Sequence, residues 1–218
     1  MTALHRHAFV WLDSSSAELP ALLREWIGQH RPLVVRRPCL SPDGKNACLG
    51  LALPPSLGKN RVPFELPREL IRKVSGPPLW SDCATISDGA ARPFHEAAAA
   101  GGAELRTFGS HAWQHLTGLQ YVTEHSDIDL LIFLESQASW DAVRKKLAPF
   151  ALPPGIDLEI VVANDASFSW REYSGPQPSL LFKGNSSVWS GGKDDVDSYL
   201  SYRALQTPGQ THDAISRK

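Results

Sequence analysis

One short run constrains the fold of this chain more than any other: Asp127-Ile128-Asp129 at the head of the apolar stretch Leu130-Leu131-Ile132-Phe133-Leu134. An almost continuous apolar run of this length reads as a strand covered on both faces. Strand residues i and i+2 share a face, so Asp127 and Asp129 project together while Ile128 points into the core. Two carboxylates held side by side repel each other, and a bound cation is the usual reason for tolerating them. Upstream, Phe108-Gly109-Ser110 marks a turn at the expected start of a helix. Gly109 lets the backbone approach a ligand closely, and the free N–H groups of a helix N-terminus form an anion site. Taken singly, each half has an ordinary structural use, a glycine turn before a cap or a solvated Asp-x-Asp. Together, on a strand–helix–strand background, metal carboxylates and a phosphate cradle indicate phosphoryl or nucleotidyl transfer.

The pattern around this segment predicts further elements. Residues 7–12 read as a strand, and Ser14-Ser15-Ser16 offers caps for a helix over 17–30 with Leu19, Leu22, Leu23 and Trp26 on one face. Strands are expected at 33–37, 47–53 and 61–66, and a short helix at 69–74. The second half predicts an alanine-rich helix at 94–100, a strand at 105–108, a short helix at 113–116 and the apolar strand at 127–134. An amphipathic helix at 139–150 and strands at 156–163, 168–173 and 180–183 follow. This gives an N-terminal α+β domain over 1–88, a second domain over 89–203 built on a mixed sheet with helices, and a disordered polar tail over 204–218.

Composition narrows the class. At 218 residues the chain can bury a substantial core. Its 22 basic and 23 acidic side chains give a net charge of −1, so no global field draws it to nucleic acid or a membrane surface. No apolar run approaches the roughly 20 residues needed to span a bilayer, and the N-terminus lacks a long apolar signal region. Cys39, Cys48 and Cys83 show no Cys-x-x-Cys spacing, so buried reduced thiols in a cytoplasmic protein are expected.

Asp127 and Asp129 are the first candidates as ligands of one or two Mg²⁺ ions, with Mn²⁺ as an alternative, because such ions prefer carboxylate and phosphate oxygens. Asp157 and Glu159 also lie two apart at the start of an apolar strand and share a face. Ser110 is a candidate phosphate contact or helix N-cap, and His111 a candidate phosphate-binding cation. Gln114 and Thr117 are weaker candidates for substrate contacts, and Trp113 is expected in the core.

Gly109-Ser110 followed by Asp127-Ile128-Asp129 resembles the signature of the nucleotidyltransferase superfamily, with a spacer longer than the generic pattern. The segments Phe108-Gly109-Ser110, Ala112-Trp113-Gln114, Leu116-Thr117-Gly118-Leu119 and Ser126-Asp127-Ile128-Asp129-Leu130-Leu131 resemble the phosphoribosyl-dephospho-CoA transferase of malonate decarboxylase, a holo-acyl-carrier-protein synthase. The likeness extends to Pro32-Leu33-Val34-Val35-Arg36-Arg37, Leu49-Gly50-Leu51-Ala52-Leu53-Pro54 and Trp170-Arg171-Glu172. The resemblance implies an α/β (α+β) fold with a nucleotidyltransferase-like core. It implies a third carboxylate, Glu159 by slight preference or else Asp157, as metal ligand or general base. It also implies transfer of the prosthetic group from 2′-(5″-triphosphoribosyl)-3′-dephospho-CoA to a serine of the acyl carrier subunit of malonate decarboxylase. The triphosphate needs cations, for which Arg36, Arg37, Arg171 and Lys183 are candidates, with Lys59 and Arg61 behind them. The N-terminal domain is expected to hold the substrate or the carrier. The rival readings are another small nucleotidyltransferase that adenylylates from ATP, and a non-catalytic binding module of the same fold.

Overall fold

The computed structural model describes residues 4–13, 19–83, 89–162 and 166–205. Its first half is an antiparallel sheet of five strands: β1 (Phe9–Leu12), β2 (Leu33–Leu40), β3 (Asn46–Ala52), β4 (Arg61–Pro67) and β5 (Ile71–Ser75). The spatial order is β4-β3-β2-β1-β5. Helix α1 (Ala21–Gly28) lies between β1 and β2 and buries Leu23, Trp26 and Ile27. Leu22, expected on that face, is 40% exposed because the buried face centres on Leu23, Trp26 and Ile27 and leaves Leu22 at its edge. The serines expected to cap this helix lie outside the described residues.

The expected helix at 69–74 is instead a single tight turn, Arg68–Leu70, followed by β5, whose residues pair antiparallel with β1 from Phe9↔Ser75 to Trp11↔Lys73. Six residues make a poor isolated helix, and the open edge of β1 supplies partners for every second backbone group.

The second half begins with α2 (Arg92–Ala100) and β6 (Leu105–Thr107). Helix α3 (Gly109–Thr117), β7 (Ile128–Phe133), α4 (Gln137–Leu147) and β8 (Ile156–Val161) follow. The chain continues through β9 (Ser167–Ser169), α5 (Trp170–Ser174), β10 (Ser179–Lys183), β11 (Val188–Gly192) and α6 (Asp195–Leu205). The sheet order is β11-β10-β9-β8-β7-β6. Among the described residues, only β7 and β8 run parallel, joined by the crossover helix α4. The result is the mixed, two-sheet α+β architecture expected from the sequence.

The strand expected at 168–173 stops at Ser169 and becomes α5. A helical turn brings Trp170 and Tyr173 together, stacked at 5.4 Å, and sets both rings against Trp140 of α4. Strand β11 and helix α6 have no counterpart in the sequence reading. The tail expected from residue 204 lies outside the described residues beyond the end of α6.

Alternation along β7 and β8 organises the centre of the molecule. Leu130, Ile132, Leu158 and Ile160 are fully buried in the core that also holds α2 and α4 residues Ala97, Trp140 and Val143. Asp129, Leu131, Asp157 and Glu159 therefore point to the opposite side. That side is covered by α3, whose Ala112 and Trp113 belong to the core of the N-terminal sheet. Trp113 meets Phe9 edge-on at 5.4 Å and stacks on Tyr121, and the Tyr121 hydroxyl donates to the Ala52 carbonyl at 2.7 Å. Helix α3 is thus the shared wall between the two sheets. Among the described residues, no helix is long and apolar enough to cross a membrane.

Candidate active site

The carboxylates assemble through strand register. Asp129 pairs with Asp157 across the parallel β7–β8 ladder, and Leu131 pairs with Glu159. Asp127, just before β7, and Asp129 lie on the same side, so Asp127, Asp129 and Asp157 form one acidic row. Asp129 is pinned from behind: Thr107 Oγ1 donates to its carbonyl at 2.7 Å, and the Phe108 N–H donates to the same oxygen at 3.1 Å. Burial, followed by the charges of Asp157, Asp127 and Glu159, pushes the Asp129 carboxyl up to about 7, with Arg61 opposing the rise. Such mutual repulsion is what a cation relieves.

Gly109 opens α3 with φ of +62°. A Cβ built on it would stand 1.8 Å from Asp129 Oδ2, so no side chain fits there. The space on the Cβ side of this glycine is held by the Asp129 carboxylate. The helix N-cap is Phe108, without a side-chain cap bond, so Ser110 lies inside the first turn rather than at the cap. The backbone N–H groups of that first turn have no partner within the helix and lie next to the acidic row.

The two candidates for the third carboxylate differ in environment. Asp157 is exposed beside Asp129, whereas Glu159 is buried and saturated. Lys183 Nζ donates to Glu159 Oε1 at 2.8 Å, Ser167 Oγ donates to Oε2 at 2.9 Å, and Arg6 forms an ion pair with Oε2. His7 Nε2 lies 3.6 Å from the same oxygen. Burial alone would raise the Glu159 carboxyl, but His7 and Arg6 together hold it far below the usual range. Of the two, Glu159, the slightly preferred candidate, is already paired with cations, whereas Asp157 is open to solvent. Arg6, His7 and Ser167 carried no signal in the sequence, since Arg6 and Glu159 are 153 residues apart.

Other expectations shift in role. His111 is buried, meets Trp80 edge-on at 5.8 Å, and is held below its usual pKa by burial, opposed by the Asp127 backbone. Gln114 Oε1 accepts from the Tyr121 and Val122 N–H groups at 3.0 and 2.9 Å, organising the loop that leads to Asp127. Thr117 Oγ1 donates to the Trp113 carbonyl at 2.6 Å and finishes α3. Arg171 donates to the carbonyls of Leu152, Pro153 and Ile156, so it staples the entry to β8 rather than reaching a ligand. Arg36 and Arg37 lie half-buried on β2, next to Val35, whose carbonyl accepts the His7 N–H at 3.3 Å.

As a donor set, the acidic row suits a hard cation. Among the described residues, no three acidic, histidine or cysteine side chains enclose a single point tightly enough to hold an ion alone. Magnesium is ordinarily bound by one or two carboxylates, substrate phosphates and waters, so the row fits an ion completed by a polyphosphate.

Comparison with known proteins agrees with this geometry. Residues 5–77 match the family model of the phosphoribosyl-dephospho-CoA transferase MdcG N-terminal domain, and residues 79–190 match that of the C-terminal domain. The chain is 33% identical over 192 residues to a phosphoribosyl-dephospho-CoA transferase of Xanthomonas euvesicatoria pv. vesicatoria, covering 83% of this chain and 90% of that relative. It is 32% identical over 176 residues to a protein of the same name from Bradyrhizobium diazoefficiens, covering 75% and 74% respectively. No solved structure matches. An acidic row joined to a glycine-led helix, two family models covering both halves, and relatives that span most of the chain lead to one conclusion: this protein is a transferase of the phosphoribosyl-dephospho-CoA transferase family.

Proposed function

We propose that this protein transfers the phosphoribosyl-dephospho-CoA group of 2′-(5″-triphosphoribosyl)-3′-dephospho-CoA to a serine of the acyl carrier subunit of malonate decarboxylase. The observation that carries the reading is the in-register pairing of Asp129 with Asp157, with Gly109 seated against Asp129. In this reading the serine oxygen attacks the phosphorus attached to the ribose, forming a phosphodiester. The bond to the next phosphate breaks, and pyrophosphate leaves with that electron pair.

The residues divide this work by position. Asp127, Asp129 and Asp157 would hold Mg²⁺, or Mn²⁺ in its place; such an ion supplies charge neutralisation of the phosphates and lowers the pKa of an attacking hydroxyl. The first-turn N–H groups of α3, at Gly109, Ser110 and His111, orient phosphate oxygens. Thr107 fixes the Asp129 backbone and Gly109 leaves room for its carboxylate, which limits the geometry the phosphate can adopt. The serine proton passes to a carboxylate of the acidic row, where Asp157 is the most accessible. A cytoplasmic setting is consistent with the absence of a disulfide among Cys39, Cys48 and Cys83, all buried.

The test is incubation with the apo carrier subunit, the triphosphoribosyl precursor and Mg²⁺, read by intact mass and by pyrophosphate release. The expected product is a carrier heavier by the whole prosthetic group. Transfer of AMP from ATP instead, with no reaction of the precursor, would replace this reading with adenylylation.

A further inference from the structure

Next to the acidic row lies a second, oppositely charged half of the same face. Glu159 follows Asp157 by two residues on β8, so the two carboxylates point the same way about 7 Å apart. The cations around Glu159 come from distant parts of the chain. Arg6 arrives from the segment before β1, and Lys183 ends β10, whose register sets Lys183 opposite Ser167. Arg6 is fixed by its own N–H to Asn185 Oδ1 at 2.9 Å and by a side-chain bond to Ser167. The neighbouring His7 ring sits 4.2 Å from the ring of Phe108, the residue directly before Gly109. This brings the cationic cluster alongside the start of α3.

Among the described residues, Glu159 alone is ion-paired with the two cations Arg6 and Lys183, whose side chains are 13% and 29% exposed. Each cation also has donors to spare beyond its bond to Glu159, since guanidinium carries five and ammonium three. A half-buried site with surplus donors, touching the residue that precedes a helix N-terminus, has the chemistry of a polyphosphate subsite.

We propose that Arg6 and Lys183 form the subsite for the pyrophosphate end of the donor's triphosphate, with Glu159 and Ser167 holding them in place. The acidic row then takes the reacting phosphate through its cation, and the basic half takes the leaving group directly. This assignment rests on the transfer reaction proposed above and adds the residues that bind the departing group, one of them from the N-terminal sheet's own approach strand.

The probe is inorganic tripolyphosphate, titrated by calorimetry into the full-length protein in EDTA, with dephospho-CoA titrated in parallel. Lys183→Met and Arg6→Gln are each expected to weaken tripolyphosphate binding at least about tenfold, as befits loss of a charge-assisted hydrogen bond. Dephospho-CoA binding should not change. Arg6→Lys, which keeps the charge, should recover part of the lost affinity. Lys183→Met leaves Arg6 and Ser167 on Glu159, so it decides the matter if Arg6→Gln fails to fold. Tripolyphosphate binding by folded Lys183→Met as tight as the parent's, or no binding by the parent, overturns the subsite. Failure of the parent to modify the carrier in the separate transfer assay overturns the reaction itself and leaves the binding result readable on its own.

Discussion

Replacing Gly109 with alanine separates two costs that the structure assigns to one glycine. The first is backbone strain, because φ is +62° and an L residue in the left-handed region costs about 1–2 kcal/mol. The second is a collision: the new Cβ would stand 1.8 Å from Asp129 Oδ2 and 2.9 Å from its Cγ, where ordinary contacts exceed about 3.4 Å. Relief requires the carboxylate to move by more than an ångström, and a misplacement of that size costs about 100-fold in rate. Gly118→Ala is the matched control, since Gly118 has φ of +69° with nothing within 4 Å of an added Cβ. Both variants should lose about 3–6 °C of thermal stability, as expected for 1–2 kcal/mol in a chain of this size. Only Gly109→Ala should lose turnover about 100-fold, measured as pyrophosphate release with the apo carrier. Equal turnover in the two variants, with both folded by circular dichroism, would refute the claim that Gly109 exists to seat Asp129.

Three other outcomes follow from the same geometry. Asp157→Asn should reduce Mg²⁺-dependent turnover about 100-fold or more with little change in melting temperature, whereas Glu159→Gln should lower stability by about 3–5 kcal/mol, because it breaks a buried ion pair; melting curves beside Mg²⁺ titrations of turnover distinguish them. In EDTA, the stability contributed by protonated Asp129 should be complete near pH 4 and fade as pH rises towards about 7, because the folded state retains a proton the unfolded chain has released; thermal melts across pH should show that slope reduced in Asp129→Asn. Arg171→Ala should cost about 1–3 kcal/mol through the carbonyls of Leu152, Pro153 and Ile156, while KM for the precursor in the fraction that remains folded stays unchanged.

The parts of the fold legible in the sequence are those written into local pattern. The apolar run of β7, the amphipathic helix α4 and the Asp127/Asp129 and Asp157/Glu159 spacings all concern neighbours within a few residues, and these elements are where the sequence puts them. The short elements are different. Ile71–Ser75 becomes a strand because β1 offers an edge, and Trp170–Ser174 becomes a helical turn because Trp140 offers an aromatic surface. Neither partner is visible from the segment itself. Gln114 and Thr117 sit near the motif in sequence and read as ligand contacts, yet Gln114 Oε1 and Thr117 Oγ1 are engaged in holding the following loop and ending α3. Proximity to a motif along the chain is weak evidence of proximity to its ligand.

Asp157 and Glu159 show why a carboxylate's role cannot be taken from its strand position alone. They occupy equivalent places on one face of β8, two residues apart, and periodicity treats them alike. Their neighbours do not. Asp157 meets Asp129 across the ladder, so its surroundings are negative and its charge raises that of the row. Glu159 meets Arg6, His7 and Lys183, drawn from the beginning of the chain and from β10, so its surroundings are positive. A carboxylate already neutralised by two cations has little left to offer a third, and a metal ion placed there would have to displace a lysine and an arginine. A carboxylate among other carboxylates gains from any cation that arrives. The segment before β1 thus brings Arg6 and His7 onto Glu159 and leaves Asp157 open, so two acids on one face of one strand end in opposite environments.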